Sequence, residues 1–396
     1  MFKKIGPGIL IAAAFIGPGT ITACTIAGVR FGYSLLWAML ISVLATMILQ
    51  EMAARLGIVT QNGLAHAIRR QLTSKWLRTL IIIIILGAIL IGNAAYEAGN
   101  IGGSTLGLQA LFGDSYSKLY PFVIGLLAFV LLWMGNYKTL ERAFMGLIFL
   151  MSISFLITAI LTKPEISSVL KGLFQPSFPE KSAFTIIALV GTTIVPYNLF
   201  LHASLVNERW TKNDLKTAKW DTLISIGIGG MVSMAIIISA SAISSTEITG
   251  ALDLAKGLEP LFGETARYFM GIGLFAAGIT SSITAPLAAA YVVNSCFGWK
   301  AGLKDWKFRL VWISILLIGV FCLSFKIRPI EIIQFAQIAN GILLPVIAGL
   351  LVWIVNKKRV MGTYTNTRIQ NIFGLLIIGL SVLLGAKSIF KVFGLL

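Results

Sequence analysis

Two four-residue stretches stand out as places where an otherwise apolar chain could do chemistry. Gly17-Pro18-Gly19-Thr20 interrupts a hydrophobic segment over 5–29, and Val195-Pro196-Tyr197-Asn198 interrupts another over 183–207. Proline has no backbone donor and clashes with the preceding turn, so each stretch breaks a helix and frees carbonyl and amide groups. Within a bilayer such groups survive only where they line a polar cavity. There they become ligands for an ion or a small solute, with the Thr20 hydroxyl, the Tyr197 phenol and the Asn198 amide beside them. A simple kink accounts for either break alone. Two breaks in corresponding positions point to a binding site.

Other polar groups surround these stretches in sequence. Glu97, in NAAYEAGN, reads as the only acid deep within an apolar segment. It reads as a proton carrier or cation ligand, or as a neutral acid bonded to a neighbouring helix. His202 lies one turn beyond Asn198 on the same helix face and suits a proton relay or a structural hydrogen bond. Gln334, Gln337 and Asn340 repeat every three residues and make one polar stripe. Thr280, Ser281, Ser282 and Thr284 form a hydroxyl-rich patch before Pro286. His66 sits among arginines and is expected to be solvated. Cys24, Cys296 and Cys322 are odd in number, fit no metal motif and read as buried thiols. No phosphate-binding loop, zinc-peptidase histidine pair or nucleophile elbow is present, so the chain is not read as an enzyme, and no cofactor is expected.

Composition says what must hold these groups. Of 396 residues, 57% are hydrophobic and 12% charged, with a mean hydropathy of +0.90. A soluble domain carries about 25% charged residues, so this chain is an integral membrane protein. The net charge of +17 sits in short loops between apolar segments rather than in a basic domain, which excludes a nucleic-acid partner. The short basic N-terminus precedes no small-residue cleavage site and is read as the start of the first span. Trp37, Trp133, Trp220, Trp306 and Trp353 fall near segment ends, as an interfacial belt would.

Eleven spans are predicted, over 5–29, 34–57, 78–112, 119–136, 141–162, 183–207, 221–245, 265–297, 309–325, 329–355 and 369–394. An N-terminus on the cytoplasmic side places 21 of the 32 Lys and Arg residues inside, which fixes the expected orientation. The breaks fall in spans one and six, matching members of two five-span halves. The expected organisation is a first inverted repeat over 1–162, a second over 163–356, and a cytoplasmic loop with the eleventh span over 357–396.

At this point the residues carry a resemblance. QEMAARLGIVT (50–60), the Gly-Pro-Gly break, Pro196 and Asn198 with His202 four residues on, and GITSSITAPLAAAY (278–291) are similar to the NRAMP family of divalent metal transporters. The resemblance runs from about Pro7 to Asn356. It implies an all-α integral membrane protein with a LeuT-like 5+5 inverted repeat, usually proton-coupled, in which spans 1, 2, 6 and 7 rock against spans 3–5 and 8–10. It also implies metal ligands in span one, as Asp-Pro-Gly-Asn, and in span six, as Met-Pro-His-Asn. Here Gly17 replaces the Asp, Thr20 the Asn, Val195 the Met and Tyr197 the His. The family's acidic pair aligns with Tyr96 and Gly99, leaving Glu97 displaced by one residue and turned about 100°. Of two span-ten glutamines, Gln337 is retained and the other aligns near Leu343. In LeuT-like sodium carriers, hydroxyls of the eighth span and carbonyls of the first hold Na⁺, which gives the 280–284 patch a second reading.

The departures alter the expected cargo. A divalent ion stripped of water needs compensating negative charge, and a thioether favours Mn²⁺ or Fe²⁺; Gly17 and Val195 offer neither. The sequence therefore predicts a secondary transporter of a small cation, a divalent ion that keeps its water as Mg²⁺ does, working by alternating access with proton coupling. The substrate-binding set is Gly17, Gly19, Thr20, Val195, Tyr197, Asn198 and Gln337, with Thr20 and Asn198 the candidate metal contacts and Glu97 and His202 the coupling groups. The alternative is a carrier of a small organic or monovalent solute. Beyond its substrate and the bilayer no partner is expected, and the chain is read as a monomer in the cell membrane.

Overall fold

The computed structural model describes residues 16–135, 138–244, 247–299, 301–325 and 327–392. Positions 5–15 of the first expected span, Lys3, Lys4, Lys300 and the end of the last span lie outside the described residues. Among those described, every regular element is helical: α1 (Pro18–Phe31), α2 (Leu36–Thr60), α3 (Leu64–Gln71), α4 (Lys75–Phe112), α5 (Tyr120–Met134), α6 (Lys138–Leu161), α7 (Ile166–Phe174), α8 (Ala183–Thr193), α9 (Pro196–Leu205) and α10 (Leu215–Ser241). The short α11 (Ala251–Ala255) and α12 (Glu259–Phe262) precede α13 (Ala266–Phe297), α14 (Trp306–Cys322), α15 (Pro329–Val355), α16 (Lys358–Met361) and α17 (Arg368–Val392).

Seven helical stretches among the described residues are long and apolar enough to cross a membrane; they contain α2, α4, α6, α8 with α9, α10, α13 and α15. α5 and most of α17 are shorter apolar helices. α4 and α13 have 38 and 32 residues. They therefore reach about 57 and 48 Å, well beyond a hydrocarbon core of roughly 30 Å.

The helices fall into two packed sets. α10 lies along α1 and α2, and α8 and α9 also pack on α2. The second set forms around α4, which runs against α13, α15 and α14. α15 joins the sets by packing on α8. That contact is made at Gly191, where a β-carbon would lie 1.9 Å from the Gln337 carbonyl oxygen. In lipid, where apolar side chains gain little by leaving their solvent, such backbone-to-backbone approach supplies much of the attraction.

The two ends of the bundle differ. At the end carrying α3, its residues Leu64, Ala65, Ala67 and Ile68 are buried against α9, α13 and α15, and the Arg69 guanidinium lies against Gly298. His66 is half-buried on α3, not freely solvated, and burial followed by the charges of Arg70 and Arg69 holds its pKa below the usual value. At the opposite end a cavity of about 740 Å³ opens, lined by Leu106, Gln109, Asp114, Asp253, Arg267 and Arg328.

An ion pair the sequence reading passed over sits near the α3 end. The Arg55 Nε donates to Glu51 Oε1 at 2.9 Å, its side chain and that of Glu51 being 10% and 14% exposed. The same guanidinium donates to the Tyr364 carbonyl at 2.5 Å and to Asn366 Oδ1 at 2.7 Å, while Gln370 Nε2 donates to Glu51 Oε2 at 3.3 Å. Glu97 is thus not the only acid within a span. Glu51 is neutralised by its own helix, and the pair fastens α2 to the segment between α15 and α17.

Two smaller expectations are corrected. Trp37 is buried rather than part of an exposed belt, because its indole donates to the Ser177 carbonyl at 3.0 Å. Trp133, Trp220 and Trp306 are exposed as expected. Cys24 and Cys296 are buried, but Cys322 is half-buried. Arg55→Ala leaves the Glu51 carboxylate without its partner in a largely dry place, which costs about 3 kcal/mol. Thermal unfolding in detergent should show this as a lowered Tm, and Glu51→Gln combined with Arg55→Met should recover most of the loss. A double variant no better than the single one contradicts the pairing.

Candidate functional site

The interruption in the sixth span is explicit. α8 ends at Thr193, Val195 is extended (φ −75°, ψ 119°), and α9 restarts at Pro196. Proline at the first helical position loses nothing there, since that N–H would have no intrahelical partner. Pro196 cannot bond back to the Thr192 carbonyl, so the break leaves acceptors in the middle of the bundle. The first interruption follows the same rule. Gly17 is extended (φ −117°, ψ −173°) and buried, and α1 starts at Pro18.

The two breaks meet. Thr20 Oγ1 lies 2.8 Å from Thr192 Oγ1, a buried contact between residues 172 positions apart. Gln337, on α15, lies over Gly19, where a β-carbon would sit 2.3 Å from its Nε2. Any side chain at 19 would displace that amide. A β-carbon at Gly17 would lie 3.3 Å from Ser281 Oγ on α13. Three helices, α8, α13 and α15, therefore converge on Gly17, Gly19 and Thr20 at the first break.

Around this point a set of buried polar atoms finds no protein hydrogen bond: Tyr197 Oη, Asn198 Oδ1, Gln337 Oε1 and Asn340 Nδ2. Their residues are all buried. Such clustering of unpaired groups is the mark of a site built to be completed by something polar. Tyr197 rests edge-on against Tyr96 of α4, ring centres 5.5 Å apart at 71°. Val195 is wholly buried and contributes an apolar wall.

The expected coupling groups are placed apart from the breaks. Glu97 is buried on the face of α4 that meets α14, where a β-carbon at Gly319 would come within 2.7 Å of its Cγ. Its Oε2 accepts from Asn100 Nδ2 at 3.3 Å, and the Ser282 hydroxyl of α13 is the second polar group beside the carboxyl. Tyr96 faces the break, and the Glu97 side chain is turned about 100° from it, toward α14 and Ser282 of α13. His202 is buried and bonds through Nδ1 to Gln50 Oε1 of α2 at 2.9 Å, with Nε2 unpaired. It lies beyond the break toward α3.

The hydroxyl patch of α13 divides. Thr280 and Thr284 donate to carbonyls of their own helix at 2.8 and 2.9 Å. Ser281 turns to Gly17 and Ser282 to Glu97. Sequence reasoning missed Thr192, Gln50 and Tyr96 as partners. Only Tyr96 carried a local signal, an aromatic beside the buried acid. Among the described residues no group of three His, Cys, Asp or Glu could hold a metal ion. The donors at the breaks are carbonyl, amide, hydroxyl and phenol oxygens.

Gly103 brings α4 against Pro18, a β-carbon there falling 2.1 Å from Pro18 Cβ. Leu106, one turn farther along α4, lines the cavity of about 740 Å³. The cavity thus opens one turn along α4 from the Pro18 contact, and α3 covers the opposite end of the bundle.

Comparison with known proteins fits this arrangement. The model of the natural resistance-associated macrophage protein-like family matches residues 8–391. The chain is 30% identical over 418 residues to the divalent metal cation transporter MntH of Staphylococcus saprophyticus, covering 97% of this chain and 91% of that protein. Its structure resembles the manganese transporter of Eremococcus coleocola, solved with an aromatic bis-isothiourea compound, at TM-score 0.80 and 23% identity, over 98% of this chain and 86% of the other. It also resembles MhsT in complex with L-phenylalanine, at TM-score 0.61 and 14% identity, over 97% and 98% of the two chains. The chain is a multi-pass membrane transport protein, and it belongs to the natural resistance-associated macrophage protein family.

Proposed function

We propose that this protein is a secondary active transporter of a small cation, a divalent ion that retains most of its water, moved by alternating access and coupled to protons. The carrying observation is the joined pair of breaks, whose unpaired Tyr197, Asn198, Gln337 and Asn340 atoms are neutral. Neutral oxygens can hydrogen-bond the water shell of a hard cation such as Mg²⁺, which dehydrates reluctantly. They cannot offset the cost of stripping a divalent ion bare, and there is no sulfur to prefer Mn²⁺ or Fe²⁺. Family membership and the divalent metal cation transporters among its relatives support the cation.

Glu97 takes the coupling role in this reading. It is buried, half-paired, and separated from the breaks by the Tyr96–Tyr197 contact, so it exchanges a proton without binding the cargo directly. His202, held by Gln50, carries protons on the side toward α3. Thr20 and Asn198 are the nearest contacts to the hydrated ion, and Gly17 and Gly19 supply backbone carbonyls. The helices form eleven spans with the N-terminus cytoplasmic, two inverted repeats over 1–162 and 163–356, and an added span over 357–396. The α3 end is then inside, and the cavity above Gly103 is the outer approach. The protein works as a monomer.

A small organic solute is the second reading. The Tyr96–Tyr197 pair gives the site an aromatic wall, and the neutral donors and acceptors suit an amide or hydroxyl. Thermal stabilisation across a panel of cations and solutes separates the two: Mg²⁺ raises Tm under the first, an organic solute under the second.

Four outcomes are expected in proteoliposomes. Mn²⁺ at micromolar concentration is not taken up saturably by the natural sequence. Gly17→Asp combined with Val195→Met restores an anion and a thioether and raises Mn²⁺ uptake by about tenfold or more; no gain contradicts the account of the missing ligands. Glu97→Gln leaves cation binding intact and abolishes the response of uptake to an imposed pH gradient. Gly19→Ala pushes Gln337 aside and lowers uptake while leaving Tm nearly unchanged, since the long amide can rotate away.

A further inference from the structure

The short helix α7, between the fifth and sixth spans, divides into three arcs. Successive residues turn by about 100°, so Val169, Gly172 and Leu173 share the arc packed on the bundle. Ser167, Ser168, Lys171 and Gln175 share a polar arc. Between them runs an apolar stripe of Ile166, Leu170 and Phe174, which are 73%, 49% and 69% exposed, with Phe178 beyond at 63%. An exposed apolar arc lying between a packed arc and a polar arc is how a helix sits in a membrane interface.

Three observations say what covers the stripe. It continues from Ile157, Ile160 and Leu161, exposed at the adjoining end of the membrane-crossing α6, so the bilayer surface leads directly onto it. The polar arc borders a cavity of about 550 Å³ whose lining includes Tyr33, Ser34, Lys171 and Gln175. This segment carries three lysines, Lys163, Lys171 and Lys181, and two acids, Glu165 and Glu180, leaving a small positive excess. Ser167 and Ser168 donate to Glu165 at 2.6 and 2.7 Å and hold its carboxyl below the usual range, so that acid is already satisfied. Lys171 is the charge on the polar arc, one turn from Phe174 and set to reach a headgroup.

We propose that α7 binds a glycerophospholipid of the adjoining leaflet, its chains along Ile166, Leu170, Phe174 and Phe178 and its phosphate at Lys171 on the rim of the cavity. The site is tied to the turn between α1 and α2. A β-carbon at Gly172 would lie 2.2 Å from the Tyr33 carbonyl oxygen. Ser177 Oγ donates to the Ser34 carbonyl at 3.1 Å, and Trp37 donates to the Ser177 carbonyl at 3.0 Å while its ring meets Phe178 at 5.0 Å. A lipid that holds α7 thereby restrains the outer ends of the two spans that follow the first break. The name of the leaflet rests on the orientation proposed above; the lipid contact does not.

The test needs no knowledge of the cargo. In a background with Cys24, Cys296 and Cys322 replaced by alanine, Leu170→Cys and Ser168→Cys are each labelled with an environment-sensitive fluorophore in phosphatidylcholine–phosphatidylglycerol vesicles. The label at 170 should emit to the blue and be quenched by nitroxide-labelled phospholipid more than by aqueous iodide, with the reverse at 168. Equal iodide quenching at both overturns the proposal. In detergent, phosphatidylglycerol should raise the Tm of the natural sequence, and Lys171→Gln should weaken that effect by about fivefold in lipid concentration. An unchanged response in Lys171→Gln overturns the phosphate contact, and an equal rise with inorganic phosphate alone overturns the lipid as its source.

Discussion

Backbone hydrogen bonds surrendered inside a low-dielectric core are the constraint on which the rest of this molecule depends. A helix that stops at Thr193 and restarts at Pro196 leaves carbonyls with nothing to bond in the middle of a membrane. The fold answers by bringing a second interruption to the same place and crossing it with α13 and α15. Thr20 and Thr192 satisfy one another, a buried neutral bond worth about 1 kcal/mol. Gln337 is laid over Gly19. What these contacts do not satisfy is the set of unpaired atoms of Tyr197, Asn198, Gln337 and Asn340, which in the function proposed above a transported species completes.

Charge placement follows from the same constraint. Two of the acids within the described spans, Glu51 and Glu97, are treated in opposite ways. Glu51 is neutralised by Arg55 one turn on and by Gln370, which makes it a fastener for α2. Glu97 receives one long amide bond, from Asn100, and keeps an oxygen without a hydrogen bond. The Glu97 carboxyl, turned about 100° around α4 from Tyr96, lies beside the break rather than in it, and the break itself is lined by neutral groups.

Much of this was legible in the sequence, for local reasons. Pro18 and Pro196 announce their own breaks because the missing N–H is a property of the residue. The displacement of Glu97 relative to Tyr96 translates directly into a rotation about α4, and the packing of Gly319 on its Cγ agrees. The partners were not legible. Thr192 lies 172 residues from Thr20, and Gln50 lies 152 residues from His202. Nothing in either neighbourhood marks one for the other. Trp37 reads as interfacial by its place near a span end, yet the segment after α7 folds over it. The 280–284 hydroxyls look alike in sequence and separate only once helix rotation sends Ser281 to Gly17, Ser282 to Glu97 and two threonines back to their own carbonyls.

The central claim is that the paired breaks enclose neutral donors and so cannot hold a bare transition ion. Anomalous X-ray scattering from crystals grown with millimolar Mn²⁺ tests it most directly. The account predicts no Mn²⁺ peak within coordination distance, about 2.2 Å, of Gly17, Thr20 or Asn198. A strong peak there, with protein oxygens in direct contact, contradicts it.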